Sequence, residues 1–316
     1  MSANPFGEKV SEFLEARRGC LTENYKKNLK RRFDRIETDL KRLKDDGKVK
    51  TLSPGKLSED DIKEFIIYRK GRKVCAGDIN HDITALGQLC SFCDNPNVQK
   101  CILKNPGLKP KVNQVMLEPL SEENYRRILE AYNSGKVDHG SLEQSRPFVM
   151  VLTYISTGAR NKELRLANVD DLNVVDWTIH FEHVKGEDTW GQPRDVAVPE
   201  FLQPILEEYL KARHDWCIAH RIDPASVKPL FFSLNKNHDY LSANSVRKIK
   251  SRVEKEIGSK FELRDCRRAF GQHYKDNDVD IEDISRAMGH NSVSTTTTYY
   301  CRKRQSEVIR KMRGKW

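Results

Sequence analysis

No run of uninterrupted apolar residues approaches the roughly 18 to 20 that a membrane-spanning helix needs. The opening residues MSANPFGEKV lack the apolar core of a signal peptide, so a cytoplasmic chain with no membrane partner is expected. Aromatic residues are scarce at 8% and hydrophobic residues low at 37%, yet 316 residues suffice to bury two ordinary cores. Acid is also in short supply. With 46 Asp and Glu against 56 Lys and Arg, the chain carries +10, a surplus that favours a polyanion because each cation laid on a phosphate releases condensed counterions. Nucleic acid is the expected partner.

The eight cysteines are expected to be reduced thiols in that compartment. Only CSFCDNPNVQKC, with Cys90, Cys93 and Cys101, hints at metal, and no second C-x-x-C pair or His partner is there to close a tetrahedral site. The ordinary alternative, small buried residues on a helix, is the one adopted.

What is present reads mainly as helix. From Leu21 to Lys50, Tyr25, Leu29, Phe33, Ile36, Leu40 and Leu43 recur at three- and four-residue steps behind a Thr22 cap, and the stretch carries 11 Lys and Arg against 6 acids. An amphipathic helix with a basic outer face is expected, solvated or facing phosphate. LSEDDIKEFIIYRKGR follows with a Ser58 cap, and two more helices end at Asn-Pro breaks at 95–96 and 105–106. Residues 1–105 therefore read as a helical bundle, and residues 1–110 hold +7 of the net charge. Residues 106–119, with Pro106, Pro110 and Pro119, read as an extended basic linker.

In residues 120–316, SEENYRRILEAYNS is a capped helix and RPFVMVLTYISTG an apolar one stopped by Gly158. TIHFEHVKGEDTWGQPRDVAVP then alternates apolar and polar residues on both sides of a turn-rich middle, the pattern of a β-hairpin. Helices resume at EFLQPILEEYLKARHDWCIAH. The fold class expected is mainly α, a helical bundle followed by a mixed α+β domain with a small antiparallel sheet.

Polar clusters in this second half stand where helices end or turns begin. TGARNKELRLANVDDL puts Arg160 just past Gly158 with Glu163 three residues on; HVKGEDTWGQPRD puts Lys185 and Gly186 at the tip of a strand; LRDCRRAFGQHY supplies Arg264, Arg267 and Arg268 at a helix start. RAMGHNSVSTTTTYYCRKR sets two tyrosines behind a Gly-His and four threonines. Singly, each has a bland reading as a salt bridge, a solvated lysine or a core histidine.

Together they resemble the tyrosine recombinases, the family of phage integrases and Xer recombinases. The resemblance covers nearly the whole chain and makes residues 1–105 similar to the helical core-binding domain and residues 120–316 to the catalytic domain. Thr157, Gly158, Arg160, Glu163 and Leu164 match the family's T-G-x-R-x-x-E-L pattern, and Lys185-Gly186 its K-G turn. The second family arginine fits either Arg264, after Leu263, or Arg267, with Phe270 and His273 three and six residues on; the latter is chosen. His290 then lies 23 residues past Arg267, and Tyr299 nine past His290, both habitual family spacings. Where the family usually has His, three residues before the second arginine, this chain has Arg264, which keeps a phosphate-binding charge but cannot act as a base near neutral pH. Integrases of some archaeal viruses resemble it in carrying a lysine there, which points towards an archaeal or archaeal-virus source.

The resemblance implies a site-specific recombinase or integrase that cleaves and rejoins double-stranded DNA through a 3′-phosphotyrosyl intermediate, with no metal or cofactor. Tyr299 would be the nucleophile, Arg160, Arg267 and Arg264 the phosphate clamp, Lys185 the general acid, and His290 a ligand of the phosphate or orienter of the phenol. Tyr300 is expected to pack instead, since it points about 100° away on a helix, and His273 to buttress Glu163 or the arginines. A homotetramer on two duplexes is implied, monomeric or dimeric off DNA. The basic tail RKRQSEVIRKMRGKW suits a helix lying on DNA or docking on a neighbouring subunit. A swivelling type IB topoisomerase and a decayed DNA-binding protein are the alternatives.

Overall fold

The structure is a computed structural model describing residues 5–112, 117–187, 191–235, 237–300, 309, 312 and 313. The middle of the expected linker and nearly all of the basic tail lie outside the described residues. The chain divides into two compact units, Met1–Val115 and Met116–Trp316. No helix among the described residues is long and apolar enough to cross a membrane.

The first unit is built from α1 (Pro5–Ala16), α2 (Glu23–Asp45), α3 (Glu59–Gly71), α4 (Ala76–Phe92) and α5 (Asn97–Lys104). Thr22 caps α2 by accepting from the Tyr25 amide, and Ser58 with Asp61 forms a reciprocal capping box on α3, each satisfying amides that a helix start leaves orphaned. The predicted stripe of α2 is buried at Leu29, Phe33, Ile36, Leu40 and Leu43, but Tyr25 at its first turn is exposed. Helix α1, not foreseen from the sequence, seats Phe6 and Phe13 edge-on against Phe33. Cys90 and Cys101 are buried in this core, where burial pushes the Cys90 thiol up to about 12.

Part of the basic surface of α2 is consumed internally. Asp82 on α4, fully buried, accepts from Arg32 (2.5 Å), Arg35 (2.7 Å) and Arg69 (2.5 Å), and Asp39 accepts from Arg69 and Arg72 at 2.9 Å. Lys27, Lys30 and Arg31 remain exposed on the same helix.

In the second unit, α7 (Leu142–Thr157) is the central helix: every residue from Ser145 to Thr157 is buried, as expected of a helix apolar on nearly all sides. Around it lie α6 (Glu122–Asn133), α8 (Asn161–Leu166), α9 (Gln203–Ala219), α10 (Ala243–Ile257), α11 (Leu263–Asp276), α12 (Ile281–Ala287) and α13 (Val293–Tyr299). The expected hairpin forms as β2 (Thr178–Phe181) against β3 (Arg194–Ala197), antiparallel with Phe181 opposite Arg194, and β1 (Leu172–Asn173) adds a third strand.

Gly158 fixes how this unit closes. It ends α7 at φ 60°, a left-handed conformation favouring glycine, and a Cβ there would stand 2.7 Å from Cδ1 of Phe270 on α11. A side chain at 158 would thus be strained twice, and α11 could not approach.

Removing the Asp82 carboxylate takes an ion-pair partner from three guanidiniums and leaves the buried Arg69 with Asp39 alone. Asp82→Ala is expected to destabilise the chain by about 3 kcal/mol, read as a lowered midpoint in equilibrium urea unfolding; a loss under about 1 kcal/mol would contradict this account of the first core.

Candidate active site

The site assembles at the end of α7. Past Gly158 the chain turns into α8, and Glu163, the third residue of that helix, reaches back to the Arg160 backbone N–H with Oε2 at 2.6 Å. This local cap places the carboxylate inside the protein, where its side chain is wholly buried. A buried carboxylate needs strong compensation, and three guanidiniums supply it. Arg160 donates Nη1 to Oε1 at 2.6 Å; Arg194 on β3 donates Nη1 to Oε1 at 3.0 Å and Nη2 to Oε2 at 2.8 Å; Arg267 on α11 brings Nη1 to 3.8 Å from Oε2. Burial would raise the Glu163 pKa, but the Arg194 hydrogen bonds and the charges of Arg194, Arg160 and Arg267 outweigh it and hold the group down at about 2.

The same arginines bind the turn that ends α12. Ala287, Met288 and Gly289 offer three successive carbonyl oxygens, and Arg194 Nε donates to the first at 2.8 Å, Arg267 Nη2 to the second and Arg160 Nη2 to the third at 2.9 Å. Gly289 takes φ 62°, and the next amide, that of His290, returns to the Ser285 carbonyl, a helix stop that sets His290 firmly.

His290 lies between the arginines and α13. Its Nε2 is 2.9 Å from Arg267 Nη2 and its Nδ1 2.7 Å from Thr296 Oγ1. Burial first, then the Arg267, Arg160 and Arg194 charges, push its pKa down to about 3. The imidazole is therefore neutral near pH 7. A guanidinium only donates, so Nε2 accepts from Arg267 and the proton sits on Nδ1, donated to Thr296. Arg267 is itself buried, also donates Nη1 to the Gly158 carbonyl at 2.5 Å, and is pushed down to about 9 by burial and by Arg160.

Of the residues expected from the sequence, Arg160, Arg267 and His290 are brought together directly. Tyr299 ends α13 and is 51% exposed, while Tyr300 is packed, its ring 4.7 Å from that of His290 and 5.6 Å from the Arg267 guanidinium. Lys185 is exposed in the turn after β2, and Glu187 of that turn pairs with Lys162 of α8 at 2.5 Å, tying the turn to the first turn of α8. Gly191 closes the same turn by donating to the Gly186 carbonyl at 2.6 Å. Arg264 is exposed on the first turn of α11, three residues before Arg267 and so on the same helix face, but takes no part in the hydrogen bonds to Glu163. Arg268 pairs instead with Asp265 at 2.5 Å.

One expectation needs correction. His273 does not buttress Glu163: it is exposed, and Arg194 does that work. Arg194 is a site residue that the motifs do not mark, though the strand carries a signal. Val196 and Val198 are buried at two-residue steps along it, so Arg194 shares their inward face, and an inward arginine demands a partner.

A family model described as the Phage integrase family matches residues 118–307. The chain belongs to the phage integrase family. The match begins at the start of the second unit and spans the Glu163 cluster, Lys185, His290 and both tyrosines, as the tyrosine-recombinase resemblance implied. Among characterised relatives, this family member is 27% identical over 241 residues to the tyrosine recombinase XerA of Pyrococcus furiosus, covering 76% of this chain and 74% of that protein. It is 24% identical over 257 residues to the tyrosine recombinase XerC of Treponema denticola, covering 77% and 79%. The fold is shared with a Tn1549 transposon integrase in complex with a circular intermediate DNA (TM-score 0.68, 15% identity, 99% of both chains). It is also shared with the XerH site-specific recombinase bound to its palindromic difH substrate (TM-score 0.65, 19% identity, 92% of this chain and 90% of that one).

The depressed His290 pKa has a stability consequence. Between about pH 6.5 and pH 3 the unfolded chain binds a proton at this position that the folded chain refuses, so stability falls as pH falls through that window. Melting temperatures at about pH 7 and pH 4.5 should drop more for the wild-type chain than for His290→Asn; equal drops would contradict the buried neutral imidazole.

Proposed function

We propose that this recombinase breaks and rejoins DNA strands through a 3′-phosphotyrosyl intermediate formed by Tyr299, and that it acts as a homotetramer on two specific duplex sites. The observation carrying this reading is the Glu163 cluster. One carboxylate orders three guanidiniums around a neutral histidine, leaving a surplus of two positive charges beside the helix that ends in Tyr299. Such a surplus, already oriented, is what a phosphodiester needs as charge develops on its non-bridging oxygens.

Arg160 keeps a quarter of its side chain exposed and offers its remaining N–H groups to one oxygen. Arg267 Nε is buried with no hydrogen-bond partner among the described residues, a donor left over for a bound anion. Arg264, one turn ahead on α11, adds a third cation from the solvent side. The Tyr299 phenol becomes nucleophilic as it gives up its proton to a non-bridging phosphate oxygen or to water beside these cations, and its oxygen attacks phosphorus in line. The P–O5′ bond breaks, and Lys185 on its hairpin turn donates a proton to the departing 5′ oxygen. His290 holds Arg267 in place and anchors α13 through Thr296. Attack by a 5′ hydroxyl reverses these steps, so the bond energy is kept in the phosphotyrosine. In the first unit, the exposed Lys27, Lys30 and Arg31 of α2 support a phosphate-facing role on the same duplex.

Tyr300 supports the competing assignment, since its ring is the one packed on Arg267. Tyr299→Phe should abolish the covalent adduct with nicked duplexes drawn from the DNA around the chain's own gene, while affinity stays within about twofold, because one hydroxyl and no charge is removed. An adduct that survives Tyr299→Phe and vanishes in Tyr300→Phe would move the nucleophile to Tyr300. In the same assay Arg160→Ala and Arg267→Ala should each slow cleavage by at least about a hundredfold, the usual effect of deleting one transition-state donor; near-normal rates would remove these arginines from the clamp.

A further inference from the structure

Arg194 is absent from the sequence pattern that marked the other arginines, and nothing in the proposed reaction uses it. Yet its guanidinium is the most fully engaged of the three. Nη1 and Nη2 hold the two oxygens of Glu163 at 3.0 and 2.8 Å, and Nε holds the Ala287 carbonyl at 2.8 Å. It is closely packed: the Phe181 ring centroid, on the paired strand, is 5.2 Å away, and a Cβ on Gly289 would come within 3.0 Å of Nη1. Only 9% of its side chain is exposed, against 24% for Arg160. These contacts join β3, the start of α8 and the turn that carries His290.

We propose that Arg194 is a positioning residue for the cleavage reaction: by holding both Glu163 oxygens and the Ala287 carbonyl in one fork, it fixes the carboxylate and the turn against which Arg160 and Arg267 are oriented towards the phosphate. The inference rests on the phosphate-clamp reading of those two arginines. Without Arg194, Glu163 keeps only Arg160 and Arg267 as cationic partners and draws both guanidiniums inward. The Ala287–His290 turn also loses one of its three arginine donors. A lysine at 194 keeps the charge, but a single ammonium cannot span a bidentate carboxylate and a carbonyl on the far side. The clamp therefore stays charged and loses its aim, and a displacement of order 1 Å in such a group costs roughly tenfold to a hundredfold in rate.

The test compares Arg194→Lys with the wild-type chain on a nicked duplex from the DNA around its own gene. The duplex is made once with an ordinary scissile phosphate and once with a methylphosphonate at that position. A methylphosphonate carries no charge, so its transition state depends less on oriented guanidiniums. We expect Arg194→Lys to bind the duplex with unchanged affinity, to cleave the phosphodiester about tenfold to a hundredfold more slowly, and to recover most of that deficit on the methylphosphonate. Equal deficits on both substrates would mean a general structural defect and overturn the proposal, as would wild-type cleavage of the phosphodiester. Melting curves accompany each rate. If Arg194→Lys does not fold, Arg194→Gln, which keeps one amide donor on the carboxylate, takes its place on the two substrates, and the same outcomes support or overturn the proposal. A wild-type chain that forms no adduct would sink the clamp reading itself, and that failure appears before any change at Arg194.

Discussion

A single buried carboxylate organises the second unit. Glu163 lies in the interior because its own helix start needs it there, to cap the Arg160 amide. Once buried and ionised it must be matched by cations in its immediate neighbourhood. The matching guanidiniums come from three places, the residue that caps α8, β3 and α11, and each also donates to one of the carbonyls of Ala287, Met288 and Gly289. One constraint thus draws four segments distant in sequence to a common point. Because three cations answer one anion, the solution to the burial problem leaves positive charge over, which the proposed clamp uses on a phosphate. Buried polar networks of this kind are worth keeping only when every member is satisfied, and here the least satisfied atom is Arg267 Nε.

Packing decides whether those donors meet. Helix α11 comes close enough for Arg267 to donate to the Gly158 carbonyl only because residue 158 has no side chain in the path of Phe270. The left-handed turn that ends α7 therefore does two jobs, stopping a buried helix and admitting its neighbour. On the other side of the site, His290 couples Arg267 to Thr296, so that the helix carrying the tyrosines is anchored to the charge cluster through a neutral ring.

Local features are the ones legible in the sequence. The stop at Gly158, the Arg160–Glu163 spacing, the caps at Thr22 and Ser58, and the hairpin with Lys185 in its turn are all encoded within a few residues. Choosing Arg267 over Arg264 takes the longer spacings to His290 and Tyr299, and in the structure Arg267 is the one joined to His290. Arg194 is hidden from such a reading because its partner lies 31 residues away on another element, and a strand of four residues gives only a faint two-residue period. The buttressing role expected of His273 rests on motif alone, without a test of which face of α11 it occupies. Helix α1 is easily missed because its apolar residues Phe6, Val10, Phe13 and Leu14 sit in what reads as an ordinary polar terminus. The basic face of α2 is overestimated for a related reason: nothing local reveals that Arg32 and Arg35 turn to Asp82, some 47 to 50 residues on.

The central claim is that the cluster around Glu163 activates the phenol at the end of α13. Its most direct test is chemical. The wild-type chain is trapped on a nicked duplex whose short 5′-hydroxyl-ended fragment diffuses away after cleavage, then digested, and the nucleotide-bearing peptide is sequenced by mass spectrometry. The account predicts a nucleotide mass on Tyr299 and an unmodified Tyr300. A nucleotide on Tyr300, or on any residue other than Tyr299, would contradict it.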